Sequence, residues 1–203
     1  MKSAYLKSQI ITYMGNKRKL LPQINDIIDM VKQDLGSETF ETADAFSGSG
    51  IVSRLLKTRS TKLYVNDIAG YSETLNSCFL DTPGKEKKAE IQKYIDGANL
   101  FAHDTDDLSV PQWIQKHWSP AKQIKKENRV YYTHQNGKLI DRYRFFISSI
   151  PEEYRPYLLS MLLVKSSIHN NTNGQFSAFY KDENGIGKYG GKLVLGTAFF
   201  LDD

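Results

Sequence analysis

Residues 42–67 read TADAFSGSGIVSRLLKTRSTKLYVND, the pattern of a strand, a glycine turn, a helix and a second strand. Thr42–Phe46 is short and apolar enough for a buried strand, and Ser47–Gly50 contains two glycines that let a ligand approach the backbone. Ile51–Lys57 has apolar residues at helical spacing, and Leu63–Val65 suits a strand. We therefore predict a βαβ unit whose turn binds a ligand.

An acidic residue follows this unit. Asp67 comes about 20 residues after Gly48, the separation at which a carboxylate hydrogen-bonds a ribose in nucleotide-binding βαβ units. The dinucleotide fingerprint needs a third glycine, but Ser53 lies three residues after Gly50, which disfavours a pyrophosphate. S-adenosylmethionine, a nucleoside without phosphates, fits better. The alternative is a bare turn that binds nothing.

A second glycine turn lies nearer the N-terminus. Gly15-Asn16 is a turn signal, Lys17 follows it, and apolar residues then recur at helical spacing over Leu20–Leu35. The free N–H groups at a helix start attract carboxylates, so Lys17 is a candidate to hold the methionine carboxylate of the cofactor. The alternative is a solvated lysine at a helix start.

The 203 residues suit one domain with a sizeable insertion, or two small domains. The sequence contains no run of 18 apolar residues and no N-terminal hydrophobic signal core, so we expect neither a membrane span nor a leader. The single cysteine, Cys78, suits a reducing compartment and is expected to be a buried apolar residue. We expect no metal, since the acidic cluster at 104–107 lacks the glycine and the bidentate glutamate of a calcium loop and is interpreted as a loop and helix cap.

The positive charge is concentrated in the second half. Residues 111–203 contain 13 Lys and Arg against 8 Asp and Glu, whereas residues 1–110 contain 14 against 15. This asymmetry favours a polyanion such as DNA, and a solvated basic surface is the alternative. Basic side chains are interspersed with two tryptophans over Gln112–Arg129. This pattern suits either nucleic-acid contacts or the core of a small subdomain.

Further elements are expected along the chain. Helices are predicted over Tyr71–Leu80, Lys85–Ile95 and Leu139–Ile150, and another from Pro151 to about Ser167. A short strand at residues 131–133 and a turn at residues 134–137 are also expected.

The segment His169–Gly191 has a different character. It is rich in Gly and Asn and contains scattered aromatic residues and lysines. Such side chains can contact phosphates, recognise base edges and stack on an unpaired base, so a DNA-contacting hairpin is preferred over a bland surface hairpin. The candidate DNA-binding residues are His169, Asn171, Asn173, Lys181 and Lys188.

These segments together resemble the Dam-like adenine-specific DNA methyltransferases, particularly those of bacterial restriction–modification systems. The resemblance lies in residues 12–21 (TYMGNKRKLL), 43–52 (ADAFSGSGIV), 66–68 (NDI) and 169–181 (HNNTNGQFSAFYK), continuing to YGG at 189–191. The HWSP and RVYYT sequences are similar to the recognition region of one subgroup, and the order of motifs matches.

The resemblance implies an α/β fold: a partial, Rossmann-like S-adenosylmethionine-dependent methyltransferase sheet with a mainly helical DNA-recognition subdomain. It implies a cofactor-binding part over 1–80, a target-recognition subdomain over 81–168, and over 169–203 a DNA-contacting hairpin that returns to the catalytic sheet. The resemblance also implies S-adenosylmethionine as the cofactor, double-stranded DNA as the substrate, and a bacterial cytoplasmic, nucleoid-associated protein. The implied cofactor-binding residues are Tyr13, Lys17, Phe46, Gly48, Gly50 and Asp67.

One family feature is missing from the sequence. The Asp-Pro-Pro-Tyr motif that holds the target amine in the family does not occur, so no catalytic residue is assigned. We expect a truncated or split adenine methyltransferase that is inactive alone. The alternatives are a DNA-binding module that needs a second polypeptide with the catalytic motif, and a small-molecule or RNA methyltransferase.

Overall fold

The structure, a computed structural model, describes residues 4–8, 10–11, 15–103, 109–120, 123–173 and 177–190. The chain divides into two compact units, residues 1–82 (unit 1) and 83–203 (unit 2), and each is described by itself. No helix in the described ranges has the length and apolar character to cross a bilayer.

Unit 1 contains the predicted βαβ unit. Strands β1 and β2 pair in parallel, with Glu41 opposite Lys62 and Asp44 opposite Val65, and helix α3 connects them. The prediction of strand, turn, helix and strand is confirmed, although β1 ends at Asp44 rather than at Phe46. In the described residues the sheet has two strands, so the fold is mixed α/β with a small parallel sheet. The elements of unit 1 are α1 (Ala4–Lys7), α2 (Leu21–Leu35), β1 (Glu41–Asp44), α3 (Ile51–Lys57), β2 (Lys62–Val65) and α4 (Gly70–Phe79).

The core of unit 1 lies between α2 and α3. Leu21 and Ile28 of α2 are buried against Ile51 and Leu55 of α3, and Leu6 joins the same cluster. These residues recur at the spacing that places apolar side chains on one helical face. A 3-10 turn over residues 18–20 precedes α2, which therefore begins one residue later than predicted.

Unit 2 is built mainly from helices. Helix α5 continues to His103, well beyond the predicted end at Ile95, because its later turns bury the small residues Ala98 and Ala102. The acidic cluster at 104–107 lies outside the described residues. The helices of unit 2 are α5 (Lys85–His103), α6 (Trp113–Trp118), α7 (His134–Ser149) and α8 (Arg155–Ile168).

Three local predictions for unit 2 are wrong. Residues 131–133 form no strand; the N–H groups of Tyr131 and Tyr132 both donate to the Trp118 carbonyl, 3.1 Å away. Thr133 instead caps α7, accepting from the Asn136 N–H at 3.1 Å, so the predicted turn at 134–137 is the first turn of the helix. Pro151 precedes a 3-10 turn, and α8 begins at Arg155.

Candidate functional site

A cavity of about 870 Å³ opens beside the glycine turn of unit 1, and we call it the turn cavity. Residues 15–17, residues 43–49 and residues 66–68 line it, together with apolar side chains of α2 and α3. It therefore collects the N-terminal segment and the loops that follow both parallel strands. Ligands of open α/β sheets bind at this end of the strands.

The turn cavity brings together four of the six predicted cofactor-binding residues. Lys17, Phe46, Gly48 and Asp67 all line it, although they come from three separate parts of unit 1. Gly50 is not among the lining residues, and it caps the start of α3 instead. Tyr13 lies outside the described residues. The assignment of all six to cofactor binding stays a prediction.

The glycine turn is bonded directly to the loop after β2. The Gly48 N–H donates to Asp67 Oδ2 at 2.7 Å, and the Ser47 N–H donates to the Asn66 carbonyl at 3.0 Å. The Asn66 side chain donates in return to the Ala45 carbonyl at 3.1 Å. Gly48 has a φ of 52°, a conformation that glycine adopts without strain, so its residue type is required by the turn.

Asp67 is held by the backbone on both carboxylate oxygens. In addition to the Gly48 contact, Oδ1 accepts from the Ala69 N–H at 2.9 Å. These two backbone hydrogen bonds, Ala69 first, lower the pKa of Asp67, so the side chain is charged at neutral pH.

Two exposed apolar side chains border the turn cavity. Phe46 is 83% exposed, and Ile68, directly after the acid, is fully exposed. Large apolar groups left in water beside a polar cleft mark a place where a ligand can be buried. Sequence reasoning did not single out Ile68, Ser47 or Asn66, although all three flank residues that it chose.

Lys17 also lines the turn cavity. Its side chain is exposed, and its carbonyl accepts from the Leu20 N–H at 2.9 Å in the 3-10 turn before α2. Asn16 stabilises this turn because its side chain accepts from the Arg18 N–H at 2.8 Å. The turn therefore places a cation among the residues that line the same cavity as the Asp67 carboxylate.

Gly50 is required for steric reasons. Its φ is 75°, and a Cβ placed on it would lie 2.3 Å from Oδ1 of Asn76 on α4. Asn76 needs that position because its side-chain amide donates to the Ser47 hydroxyl at 2.9 Å. The absence of a side chain at Gly50 thus lets Asn76 of α4 reach and support the glycine turn.

Replacement of Gly50 by alanine should therefore lower the free energy of unfolding by about 2 kcal/mol, from left-handed strain plus the clash with Asn76. Gly185→Ala is the matched control, since Gly185 has the same φ of 75° but no atom within 4 Å of an added Cβ. That control should lose only about 1 kcal/mol. Urea unfolding followed by circular dichroism measures both, and equal losses would show that the clash is unimportant.

The predicted DNA-binding residues occupy the end of unit 2, and they separate into two groups. Asn173, Lys181 and Lys188 are exposed, and His169 is half-buried at the end of α8. Isolated antiparallel bridges join Thr172 to Phe179 and Lys181 to Gly187, so the segment folds back on itself as expected.

Asn171 is different, because its side chain is 2% exposed. Its amide nitrogen donates to the carbonyls of Val130 and Lys188, both at 2.8 Å, and its amide oxygen accepts from the Gly190 N–H at 2.8 Å. This geometry makes Asn171 a support for the hairpin. A direct DNA contact by Asn171 is therefore not retained in our proposal.

An aromatic row connects the hairpin to α6. The ring centroids of Trp118 and Tyr131 lie 4.7 Å apart, and those of Tyr131 and Phe179 lie 5.1 Å apart. Arg129 lies over Trp118, and Lys181 lies over Phe179. Trp113 is 52% exposed, so the two tryptophans differ: Trp118 packs in this row, and Trp113 faces solvent. The packing of Trp118 fits the subdomain-core interpretation of the Gln112–Arg129 pattern, and nucleic-acid contacts by this segment stay a prediction.

Within the described ranges, no three His, Cys, Asp or Glu side chains come together in a way that could hold a metal ion. The chemistry available at the turn cavity is that of hydrogen bonding, charge and apolar contact.

Comparison with known proteins gives relatives of one kind. The chain is 29% identical over 179 residues to the modification methylase LlaI of Lactococcus lactis subsp. lactis, which covers 83% of this chain and 27% of that protein. It is 28% identical over 180 residues to the type II methyltransferase M.CviAII of Paramecium bursaria Chlorella virus 1, covering 84% of this chain and 49% of the relative. The type II methyltransferase M.NlaIII of Neisseria lactamica is 26% identical over 179 residues, which cover 85% of this chain and 50% of that protein.

The chain therefore spans from about a quarter to about half of the length of these relatives. No solved structure matches the chain. The family of D12 class N6 adenine-specific DNA methyltransferases matches residues 13–188, which include the turn cavity, the glycine turn and most of unit 2. The chain belongs to the family of D12 class N6 adenine-specific DNA methyltransferases.

Proposed function

We propose that the chain binds S-adenosylmethionine in the turn cavity and double-stranded DNA through unit 2, as part of a system that methylates the exocyclic amine of adenine. The observation that carries this proposal is the turn cavity, in which a lysine, a glycine turn and a carboxylate from three segments face one space. Its volume lies in the range of about 300–1,000 Å³ that is typical of small-molecule sites.

Each residue has a role that its chemistry supports. The Asp67 carboxylate accepts hydrogen bonds from the ribose hydroxyls, and Gly48 lets the backbone come close to the ligand. Lys17 pairs with the cofactor carboxylate, and Phe46 and Ile68 cover the apolar surface of the nucleoside. Gly50 acts through the shape of the turn. When bound, S-adenosylmethionine supplies the methyl group on its sulfonium.

For DNA, we propose contacts by exposed groups of the hairpin. Asn173, Lys181 and Lys188 can bind phosphates or base edges, and His169 lies at the base of the same segment. The basic excess of residues 111–203 adds a nonspecific electrostatic attraction. In this proposal, residues 1–80 bind the cofactor, residues 81–168 form the recognition subdomain, and residues 169–203 contact DNA and return toward a Rossmann-like sheet.

A second candidate is a binding subunit without catalysis of its own, and a specific observation favours it. The 203 residues contain no Asp-Pro-Pro-Tyr motif, and within the described ranges the sheet has two strands, fewer than an independently stable sheet normally has. We propose that a second polypeptide provides the amine-holding residues, and that the assembly acts on DNA in the bacterial cytoplasm. A small-molecule or RNA substrate is less favoured, since the basic hairpin suits a duplex.

Two measurements on the chain test the proposal. Calorimetry should detect binding of S-adenosylmethionine. No binding is expected if the turn cavity is only a packing defect. A tritium transfer assay on adenine-containing duplex DNA should detect no methylation by the chain alone. Robust transfer would reject the binding-subunit proposal, and absence of any cofactor binding would reject both candidates.

A further inference from the structure

A buried arginine behind the glycine turn has no part in the roles assigned above. Arg54 lies on α3, four residues after Gly50, and its side chain is 2% exposed. It is not among the residues that line the turn cavity. A buried guanidinium costs several kcal/mol of hydration unless its N–H groups find acceptors, so its partners indicate what it holds in place.

Those partners are main-chain carbonyls of the N-terminal segment. Nη1 of Arg54 donates to the Tyr5 carbonyl, and Nη2 donates to the Ser8 carbonyl at 2.9 Å. Nη1 also donates to the Ser8 hydroxyl at 3.2 Å, and the guanidinium lies 5.5 Å from the centre of the Tyr5 ring. One side chain therefore bonds two carbonyls of residues 5–8 to α3.

The same contact extends to α4. The Tyr5 hydroxyl donates to the Phe79 carbonyl at 2.7 Å, and Asn76 on α4 bonds the Ser47 hydroxyl of the glycine turn. The N-terminal segment is thus connected, through Arg54 and Tyr5, to both helices that support the turn. Residues 15–17, which come seven residues after Ser8 in the sequence, line the turn cavity.

We propose that Arg54 is a positioning residue that holds the N-terminal wall, and with it Lys17, at the distance from the glycine turn that the cofactor requires. The inference rests on the proposed function. Because Arg54 holds one wall only, it controls affinity for the methionine end of S-adenosylmethionine and leaves the adenosine end to Gly48 and Asp67. Lysine cannot replace it, since a single ammonium does not reach two carbonyls in a fixed fork.

The test compares two ligands that share adenosine but differ at the other end. S-adenosylmethionine has the amino-acid carboxylate, and 5′-methylthioadenosine lacks it. Calorimetry of Arg54→Lys should show S-adenosylmethionine affinity reduced about tenfold or more, the size of a lost charge-assisted contact, with 5′-methylthioadenosine affinity within about twofold of wild type. Hydrogen exchange should show faster exchange of residues 5–8 and unchanged exchange of residues 47–50.

Arg59→Lys is the matched control, because Arg59 follows α3 and forms an ion pair with Asp29 rather than with the N-terminal segment. It should bind both ligands as wild type does. If Arg54→Lys does not fold, Tyr5→Phe tests the same connection, since it removes only the hydroxyl bond to Phe79 and should give a smaller loss restricted to S-adenosylmethionine.

The outcomes separate the two levels of the proposal. Equal losses for both ligands, or no loss for either, would overturn the positioning role of Arg54 while leaving the cofactor site intact. A wild-type chain that binds neither ligand would overturn the proposed function itself. A loss of affinity for S-adenosylmethionine alone would support both the positioning role of Arg54 and the proposed cofactor site.

Discussion

Asp67→Ala should reduce the affinity of the chain for S-adenosylmethionine more than about a hundredfold. Hydrogen bonds to a charged acceptor contribute about 1.5–3 kcal/mol each, and the proposed site loses two of them at the ribose. The variant also loses the acceptors of the Gly48 and Ala69 N–H groups, so the glycine turn itself loosens. Calorimetry measures the change.

Asp26→Ala on the exposed surface of α2 is the control, because it removes the same charge from unit 1 away from the turn cavity. It should leave the affinity within about twofold of wild type, as expected of a screened surface charge. Asp67→Asn should be intermediate, since the amide keeps one acceptor oxygen and loses the charge. Unchanged affinity in Asp67→Ala would contradict the assignment of the ribose acid.

The pH dependence of the same site follows from the lowered pKa of Asp67. A carboxyl whose folded pKa is depressed stabilises the native turn above its unfolded pKa, and this contribution disappears as the pH falls through the folded pKa. The turn and cofactor binding should therefore persist through neutral and mildly acidic solution and weaken only below about pH 4. Carbon-detected NMR titration of the Asp67 carboxyl checks the direction.

Asn171→Ala should lower the free energy of unfolding of unit 2 by about 3 kcal/mol, which corresponds to a fall of roughly 10 °C in the melting temperature. The substitution leaves the carbonyls of Val130 and Lys188 and the N–H of Gly190 without their side-chain partner. Tryptophan fluorescence measures this selectively, since Trp113 and Trp118, the two tryptophans of the chain, both lie in unit 2.

Asn173→Ala is the natural comparison, because it removes the same side chain two residues away at an exposed position. It should melt like wild type but bind duplex DNA more weakly, whereas Asn171→Ala should lose both stability and DNA affinity. Fluorescence anisotropy with a labelled duplex at two salt concentrations measures the second quantity. Equal melting temperatures for the two variants would contradict the supporting role of Asn171.

The contrast between these two asparagines shows where sequence reasoning succeeds. The βαβ unit and the placement of Gly48 and Asp67 at one cavity could be predicted, because a strand, a turn and a parallel strand fix the path of the chain within a few residues. The burial of Asn171 could not be predicted, since it depends on contacts with Val130 and Gly190, which are distant in the sequence. All the asparagines of residues 169–191 have the same local signal.

Arg54 was missed for a related reason. The apolar spacing of α3 predicts which face is buried, and a charged residue on such a helix is assumed to face water. Its carbonyl partners come from residues 5–8, which carry no sequence pattern for this contact. The wrong strand at 131–133 has a local cause instead, because β-favouring tyrosines there precede a threonine cap that starts α7.

The two backbone bonds to Asp67 have a consequence for how a ligand is received. Since Gly48 and Ala69 already fix the carboxylate, binding a nucleoside need not restrict this side chain further, and little rotational entropy is lost at the ribose. Such a preorganised acceptor allows even small fragments of the ligand to bind. In the proposed site, adenosine alone should therefore bind detectably, and groups added toward Lys17 should increase the affinity stepwise.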